Sequence, residues 1–390
     1  MKNCKNPFRL LILCTVLGIL IPSLSNGQTD SIPGKKKLSL KDPEDGAIDL
    51  SQYLLEANGV LPVAIPITEP AVGYGGALAL LYFHKSKKKY NSYVPPSVSG
   101  IAGLYTSNQT WGAGAFHKHI FGENRVRTTT AFLKANVRLK YYGNNSPILE
   151  DNPVGINLDS WVILQKAEVR LGKSKFYAGA TYTFFNTEVS FDTIPNKPII
   201  NPILERLNIN SKISSIKPTL AYDNRDNTFT PARGIYSRLS VNYAAKWLGS
   251  SNDFSTLGTD FFGYLPISSA VRSGWRFQGN YLLGDAPFYA YPFIDLRGIP
   301  AMRYQGDNTI VAETEWTFNV YKRWSLVAFT GGGKAFNDLA NFGSFDWAYT
   351  VGTGFRYNVA RVLGVNMGAD FALGNGRDFA FYIVFGSSWL

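Results

Sequence analysis

Beyond its first 27 residues the chain has no cysteine; Cys4 and Cys14 are the only two. Both fall in an opening segment where Lys2, Lys5 and Arg9 precede the apolar run Leu10 to Leu20, with Ser25-Asn26-Gly27 following. This order predicts a secretory leader over 1–27, removed before Gln28. Leucine directly before Cys14 is too bulky for a lipoprotein site, and the hydrophobic run continues past it. An exported chain without cysteine has no disulfide, no thiol nucleophile and no cysteine metal centre. Long hydrophobic runs are missing as well. After residue 28 nothing approaches the ~18 consecutive apolar residues of a membrane helix.

Charge and histidine are also scarce. Asp, Glu, Lys and Arg make up 17% of the chain, whereas a soluble domain carries about 25%. Histidine is limited to His84, His117 and His119. His117 and His119 share one strand face, and too few ligands accompany them for a metal site; two imidazoles facing a watery lumen are expected. No grouping of serine, histidine and acid emerges, so neither catalysis nor a cofactor is expected. Thr330-Gly331-Gly332-Gly333-Lys334 lacks the spacing of a phosphate loop, and no helix follows it. Lys85, Lys87, Lys88 and Lys89 form a basic turn, either solvated or touching lipid phosphates.

Aromatics and glycine, by contrast, are plentiful, at 14% and 37 residues. That composition suits an outer-membrane barrel with aromatic girdles. The formal charge of +11 becomes +8 without Lys2, Lys5 and Arg9. For an exported chain an anionic lipid surface is a simpler partner than nucleic acid.

Residues 28–59 are polar and read as a short periplasmic lead-in or a plug element, too small for a domain of their own. Within them Asp49 is placed to cap a helix over Leu50 to Ala57. From 60 to 390 the chain is a succession of alternating segments. Ile235, Leu239, Val241 and Tyr243 oppose Tyr236, Arg238, Ser240 and Asn242; Val271, Trp275, Phe277 and Tyr281 oppose Arg272, Arg276, Gln278 and Asn280. In the final segment Phe379, Phe381, Ile383, Phe385 and Trp389 share one side. A large apolar face against a polar or small one is the pattern of strands with lipid outside and a lumen inside. Sixteen such segments run from 60–67 to 378–389, predicting an all-β, antiparallel up-and-down transmembrane barrel. The connections support the count: 141–157, 191–210, 247–253, 284–307 and 335–345 are long and all odd-numbered. Most even-numbered ones are tight, with 85–96 and 224–233 as exceptions. The first segment is unusual because Pro62 and Pro66 each lack an amide proton. It is expected to pair weakly with the last strand and leave a loose seam there.

One stretch organises the rest. Tyr291 to Val320 begins rich in glycine and proline and ends as a strand with Ile310, Trp316, Phe318 and Val320 on one face. Glu313 and Glu315 lie on the other. Two carboxylates on an inner face require a cationic partner, and Arg297, in the preceding loop, is the candidate.

Two motifs resemble those of the bacterial surface antigen family, the barrel domain of the BamA/TamA superfamily of outer-membrane assembly and translocation factors. Asp223, Arg225, Asp226, Pro231, Arg233 and Gly234 match its charged turn, and Leu296-Arg297-Gly298 matches its inward-folded loop. The resemblance spans about 60 to 390 and implies sixteen strands, five of them after the loop. It implies that Arg297 and Gly298 enter the barrel and that Glu315 holds the arginine. Its second acid should stand at Gly331, leaving Glu313 to take that role. Members that insert or move proteins carry periplasmic receiving domains, for which 28–59 leaves no room. The sequence therefore supports a Gram-negative outer-membrane barrel, with lipid and other outer-membrane or periplasmic proteins as partners, handling protein or lipid through a seam marked by Pro62, Pro66 and Trp389. The alternatives are a passive or gated solute pore lined by Arg238, Arg272, Arg276 and Lys246, or a structural barrel within a larger complex.

Overall fold

A computed structural model describes residues 40–52, 59–68, 72–84, 97–142, 153–192, 209–338, 340, 342–344, 347–375 and 378–389. The expected leader and the lysine turn at 85–89 lie outside them. Sixteen strands form one antiparallel sheet in which each pairs with its chain neighbours. They are β1 (Gly59–Ile67), β2 (Gly75–His84), β3 (Ser97–Thr106), β4 (Trp111–Phe121), β5 (Val126–Tyr141), β6 (Val154–Arg170), β7 (Phe176–Phe191) and β8 (Ile209–Asp223). The second half comprises β9 (Gly234–Ala244), β10 (Phe254–Pro266), β11 (Val271–Gly284), β12 (Asn308–Tyr321), β13 (Trp324–Phe336), β14 (Ala348–Ala360), β15 (Val365–Gly374) and β16 (Asp378–Phe385). The sheet curls into a nearly closed barrel. An even strand number places both chain ends at one rim, the terminal rim, and the odd-numbered connections at the opposite, loop rim.

The alternation behaves as expected through the middle of the wall. Leu78, Ile101, Phe132, Ile163, Leu239, Phe277, Leu326 and Phe371 face outward and are exposed. Toward the loop rim, β5–β8 depart from it. There the inward face is the apolar one: Val137, Leu139, Ile156, Leu158, Val189 and Ile213 are buried together with Tyr289 and Met302 of the β11–β12 connection. The outward face alternates with it and carries Arg138, Lys140, Asn157 and Asp159. These strands are the longest, at 15 to 17 residues. Toward their loop-rim ends the ordinary apolar-inside rule of a soluble sheet returns.

Two boundaries differ from expectation, each for a local reason. β6 begins at Val154 because Ile156 and Leu158 find this apolar interior. β16 ends at Phe385 because Gly386 turns the chain with φ +79. Trp389 is therefore not on the strand face it was assigned.

Candidate functional site

The connection between β11 and β12 folds back into the barrel because its apolar residues find partners there. Ile294, Leu296 and Ile299 are buried against Val311, Ala335 and Ala348 of β12, β13 and β14. This brings Arg297, 2% exposed, into the middle of the wall. Its Nε donates to Glu313 Oε1 at 2.8 Å, and its Nη1 donates to Glu315 Oε2 at 2.7 Å and Asp370 Oδ2 at 2.8 Å. The guanidinium carbon stands 3.4 Å from the centroid of the Phe329 ring, a cation–π stack. Two more arginines share the acids. Arg276 Nη1 donates to Glu313 Oε2 at 3.0 Å and Nη2 to Asp295 Oδ2 at 3.0 Å; Arg356 Nη2 donates to Asp370 Oδ2 at 3.0 Å. Arg276, Arg297 and Arg356 thus balance Glu313, Glu315 and Asp370. Neutrality is what permits six charges to be enclosed, since an unpaired one costs several kcal/mol.

Glycines make the fit. Gly298 has φ +88, and a Cβ there would meet Gly374 N at 3.1 Å; its amide donates to Tyr382 Oη at 3.0 Å. Gly331 lies opposite Glu313 in register, where a Cβ would come within 3.0 Å of the glutamate's Cβ and Cγ. The residue that stands where a second acid was sought is therefore the space for Glu313. The expectation that Glu313 alone replaces that acid needs correction, because Asp370 of β15 also reaches Arg297.

The turn after Phe385 closes the group from the terminal rim. Ser388 Oγ donates to Glu315 Oε2 at 2.7 Å and accepts from Arg297 Nη1 at 3.1 Å; Trp389 Nε1 donates to Glu313 Oε2 at 2.9 Å. The indole packs beside Phe262 and Tyr264, in space left by Gly274. Under it lies the 224–233 connection. Arg225 grips Asp223 through Nε at 2.8 Å and Nη2 at 2.9 Å, while Asp226 Oδ1 accepts from the amides of Ala232 and Arg233. Gly234, at φ +105, approaches the Asn224 carbonyl too closely for a side chain. Pro231 is buried and lines a small cleft with Arg272, Glu315, Arg356 and Trp389. These contacts tie the charged turn, the loop arginine and the chain end into one assembly.

The seam is a separate place. Pro62 and Pro66 sit in β1, paired with Leu80 and Gly76 of β2. Among the described residues no ladder joins β1 to β16. One hydrogen bond crosses, from Ile383 N to Thr68 Oγ1 at 2.9 Å.

Residues 166–389 match the model of the Omp85 superfamily domain. The chain belongs to the Omp85 superfamily. Three solved structures share its fold at low identity. BamA from Haemophilus ducreyi lacking POTRA domains 1-3 is 12% identical with a TM-score of 0.59, covering 85% of this chain and 70% of that one. CdiB from Acinetobacter baumannii is 9% identical (TM-score 0.53, 86% of this chain and 66% of that one). CdiB from Escherichia coli is 10% identical (TM-score 0.54, 84% and 59%). The chain thus spans less than two-thirds of the length of either CdiB. No curated protein sequence matches it.

This Omp85 barrel holds a second ion-pair cluster outside the wall that sequence reading did not identify. Residues 40–52 lie across the turns β12–β13 and β14–β15 at the terminal rim. Arg323 Nη2 donates to Asp42 Oδ2 at 2.6 Å, Nε to Asp45 Oδ2 at 2.6 Å and Nη1 to Asp49 Oδ2 at 2.7 Å. Arg361 Nε donates to Asp42 Oδ2 at 2.8 Å and Nη1 to Glu44. Burial alone would raise the Asp49 carboxyl, but hydrogen bonds from Ser51, Arg361 and Arg323 outweigh it and bring it to about 2. Asp42, Glu44 and Asp45 are also held below the usual carboxylate range, chiefly by the Glu44 amide, Arg361 and Arg323 respectively. Asp49 does accept the Ser51 amide as a cap, and helix is observed at 51–52.

 The four acids in 42–49, Asp42, Glu44, Asp45 and Asp49, are all paired. Their density was visible in the sequence; their partners, more than 270 positions away, were not.

Proposed function

We propose that this chain is an outer-membrane barrel that handles outer-membrane protein or lipid at the seam between β1 and β16, in the manner of assembly and translocation factors. The carrying observation is the break in an otherwise continuous sheet: fifteen neighbouring pairs form ladders, and β1 and β16 do not. Three features support it. The strands flanking the break are short, with 9 residues in β1 and 8 in β16, against 17 in β6. A short wall gives the bilayer a narrow apolar belt there, the place where a passing strand or lipid meets least resistance. Pro62 and Pro66 lie at positions of the same parity, so both missing donors face one edge; an unbroken register with β2 fits that edge being the one toward β16. The Arg297 cluster then acts as a lock: it holds the inward loop to β12 and β15 and, through Ser388 and Trp389, to the end of the seam strand. Pore function is disfavoured because two of the cations proposed to line a pore, Arg276 and Arg238, are engaged. Arg276 is buried with Glu313, and Arg238 meets Asp260 at 2.6 Å.

Thr68→Cys with Ile383→Cys tests the seam. The leader aside, the chain has no other cysteine to interfere. Oxidation is expected to abolish growth support in cells that depend on the protein, and reduction to restore it, with folding unchanged by heat-modifiable migration. Full activity of the cross-linked protein would remove the seam from the mechanism.

A further inference from the structure

We propose that the outer wall near the terminal rim of β2–β5 carries a site for the phosphodiester headgroup of an anionic glycerophospholipid, built from His84, Ser99, His117 and His119. All three histidines of the chain meet there. Ser99 Oγ lies 2.8 Å from His84 Nε2 and 2.8 Å from His117 Nδ1. The His84 and His117 rings are 5.3 Å apart, and those of His117 and His119 5.6 Å. Neither His117 nor His119 faces the lumen, contrary to expectation. They share parity on β4 with the exposed Trp111 and Phe121, and His84 shares it on β2 with Leu78, Leu80 and Tyr82.

Depth follows from strand position. His84 is the last residue of β2 and His119 is two short of the end of β4. At ~3.4 Å per residue that is headgroup level, where the rings of Tyr82 and Phe121 also sit. The polar row continues sideways in register, from Ser99 through His117 and Thr130 to Gln165. On a wall otherwise apolar, such a row is costly unless it meets polar partners.

The chemistry selects an anion. A serine hydroxyl between two imidazoles donates to one and accepts from the other when both are neutral, and accepts from both when both are protonated. Each ring spends one nitrogen on Ser99; the other nitrogen is a donor in both rings when both are protonated, and in only one of them when both are neutral. A phosphodiester offers two unesterified oxygens and one negative charge to these donors, while its acyl chains lie along Leu80, Ile101 and Phe132. Among the described residues of this face near the terminal rim the other titratable group is Tyr82; Tyr105 and Lys134 lie farther toward the loop rim. The 122–125 turn below adds Glu123 and Arg125, one of each sign, and Lys118, Arg127, Lys166 and Glu168 occupy the opposite face. No three-ligand metal cluster occurs among the described residues. The site depends on the membrane orientation above but not on the seam.

The test is thermal unfolding of the full chain in neutral detergent, titrated with dioctanoyl phosphatidylglycerol, dioctanoyl phosphatidylcholine or inorganic phosphate. Phosphatidylglycerol is expected to raise the unfolding temperature saturably at about pH 5.5, with a midpoint weakened at least about fivefold at about pH 8 and by His84→Gln/His117→Gln/His119→Gln. Phosphatidylcholine and inorganic phosphate are expected to give no shift. An equal response to phosphatidylcholine, or an unchanged midpoint in the triple variant, overturns the site. A response to inorganic phosphate assigns a soluble anion and overturns the lipid. Should the triple variant fail to fold, His117→Gln and the pH comparison on the unaltered chain decide by the same criteria.

Discussion

Arg297 gathers three carboxylates from β12 and β15, and this sharing anchors the connection inside. Arg297→Ala would take one of two cationic partners from Glu313 and from Asp370, and from Glu315 its close one, a loss of about 3–5 kcal/mol. Urea unfolding of the purified barrel measures it, and limited proteolysis should show new cleavage between 285 and 307. Arg297→Lys keeps the charge but not the planar fork or the stack on Phe329, so it should recover only part of the loss. Part of this site was legible. The two glutamates share a strand face by parity, and the loop motif named the arginine. Asp370 and Arg356 were not found, although each is a lone charge in the middle of a strand. Sequence alternation tells which face a residue occupies but not which strands approach one another across a lumen.

At the scale of elements, two chain segments brace the barrel at the terminal rim. The tail depends on Gly386 to turn and on Gly274 for space, where a Cβ would lie 2.9 Å from the Trp389 ring. Gly274→Val should expel the indole, so that carboxypeptidase releases Trp389 from the variant and not from the parent. The strap at 40–52 rests on carboxylates whose folded values are depressed. Such groups stabilise docking above their unfolded values near 4 and lose that contribution as pH falls toward about 2, the value of Asp49. Protection factors over 40–52, corrected for the intrinsic exchange rate at each pH, should therefore be constant above about pH 5 and fall on acidification while the strands stay protected. Arg323→Gln should give fast exchange at neutral pH as well. Parity and turn length made the sixteen strands readable. The tail was misassigned because Phe385-Gly386-Ser387-Ser388-Trp389 continues the alternation on paper, and only the left-handed glycine breaks it.

For the whole molecule the question is whether the lumen conducts. From the loop rim, Tyr289 and Met302 pack into the apolar interior of β5–β8; from the terminal rim, the 224–233 turn and Trp389 fill the space beneath Arg297. Arg238, Arg276, Arg297 and Arg356 are paired with Asp260, Glu313, Glu315 and Asp370, which weakens the focusing field an anion channel needs. The unaltered chain should thus give little steady current in planar bilayers. Removing residues 288–304, which carries away Arg297 and the apolar loop contacts together, should produce a steady conductance without restoring a ladder between β1 and β16. A large, steady, anion-selective current from the unaltered chain would instead assign it to passage through the lumen, and the break between the first and last strands would then have no part in what it carries.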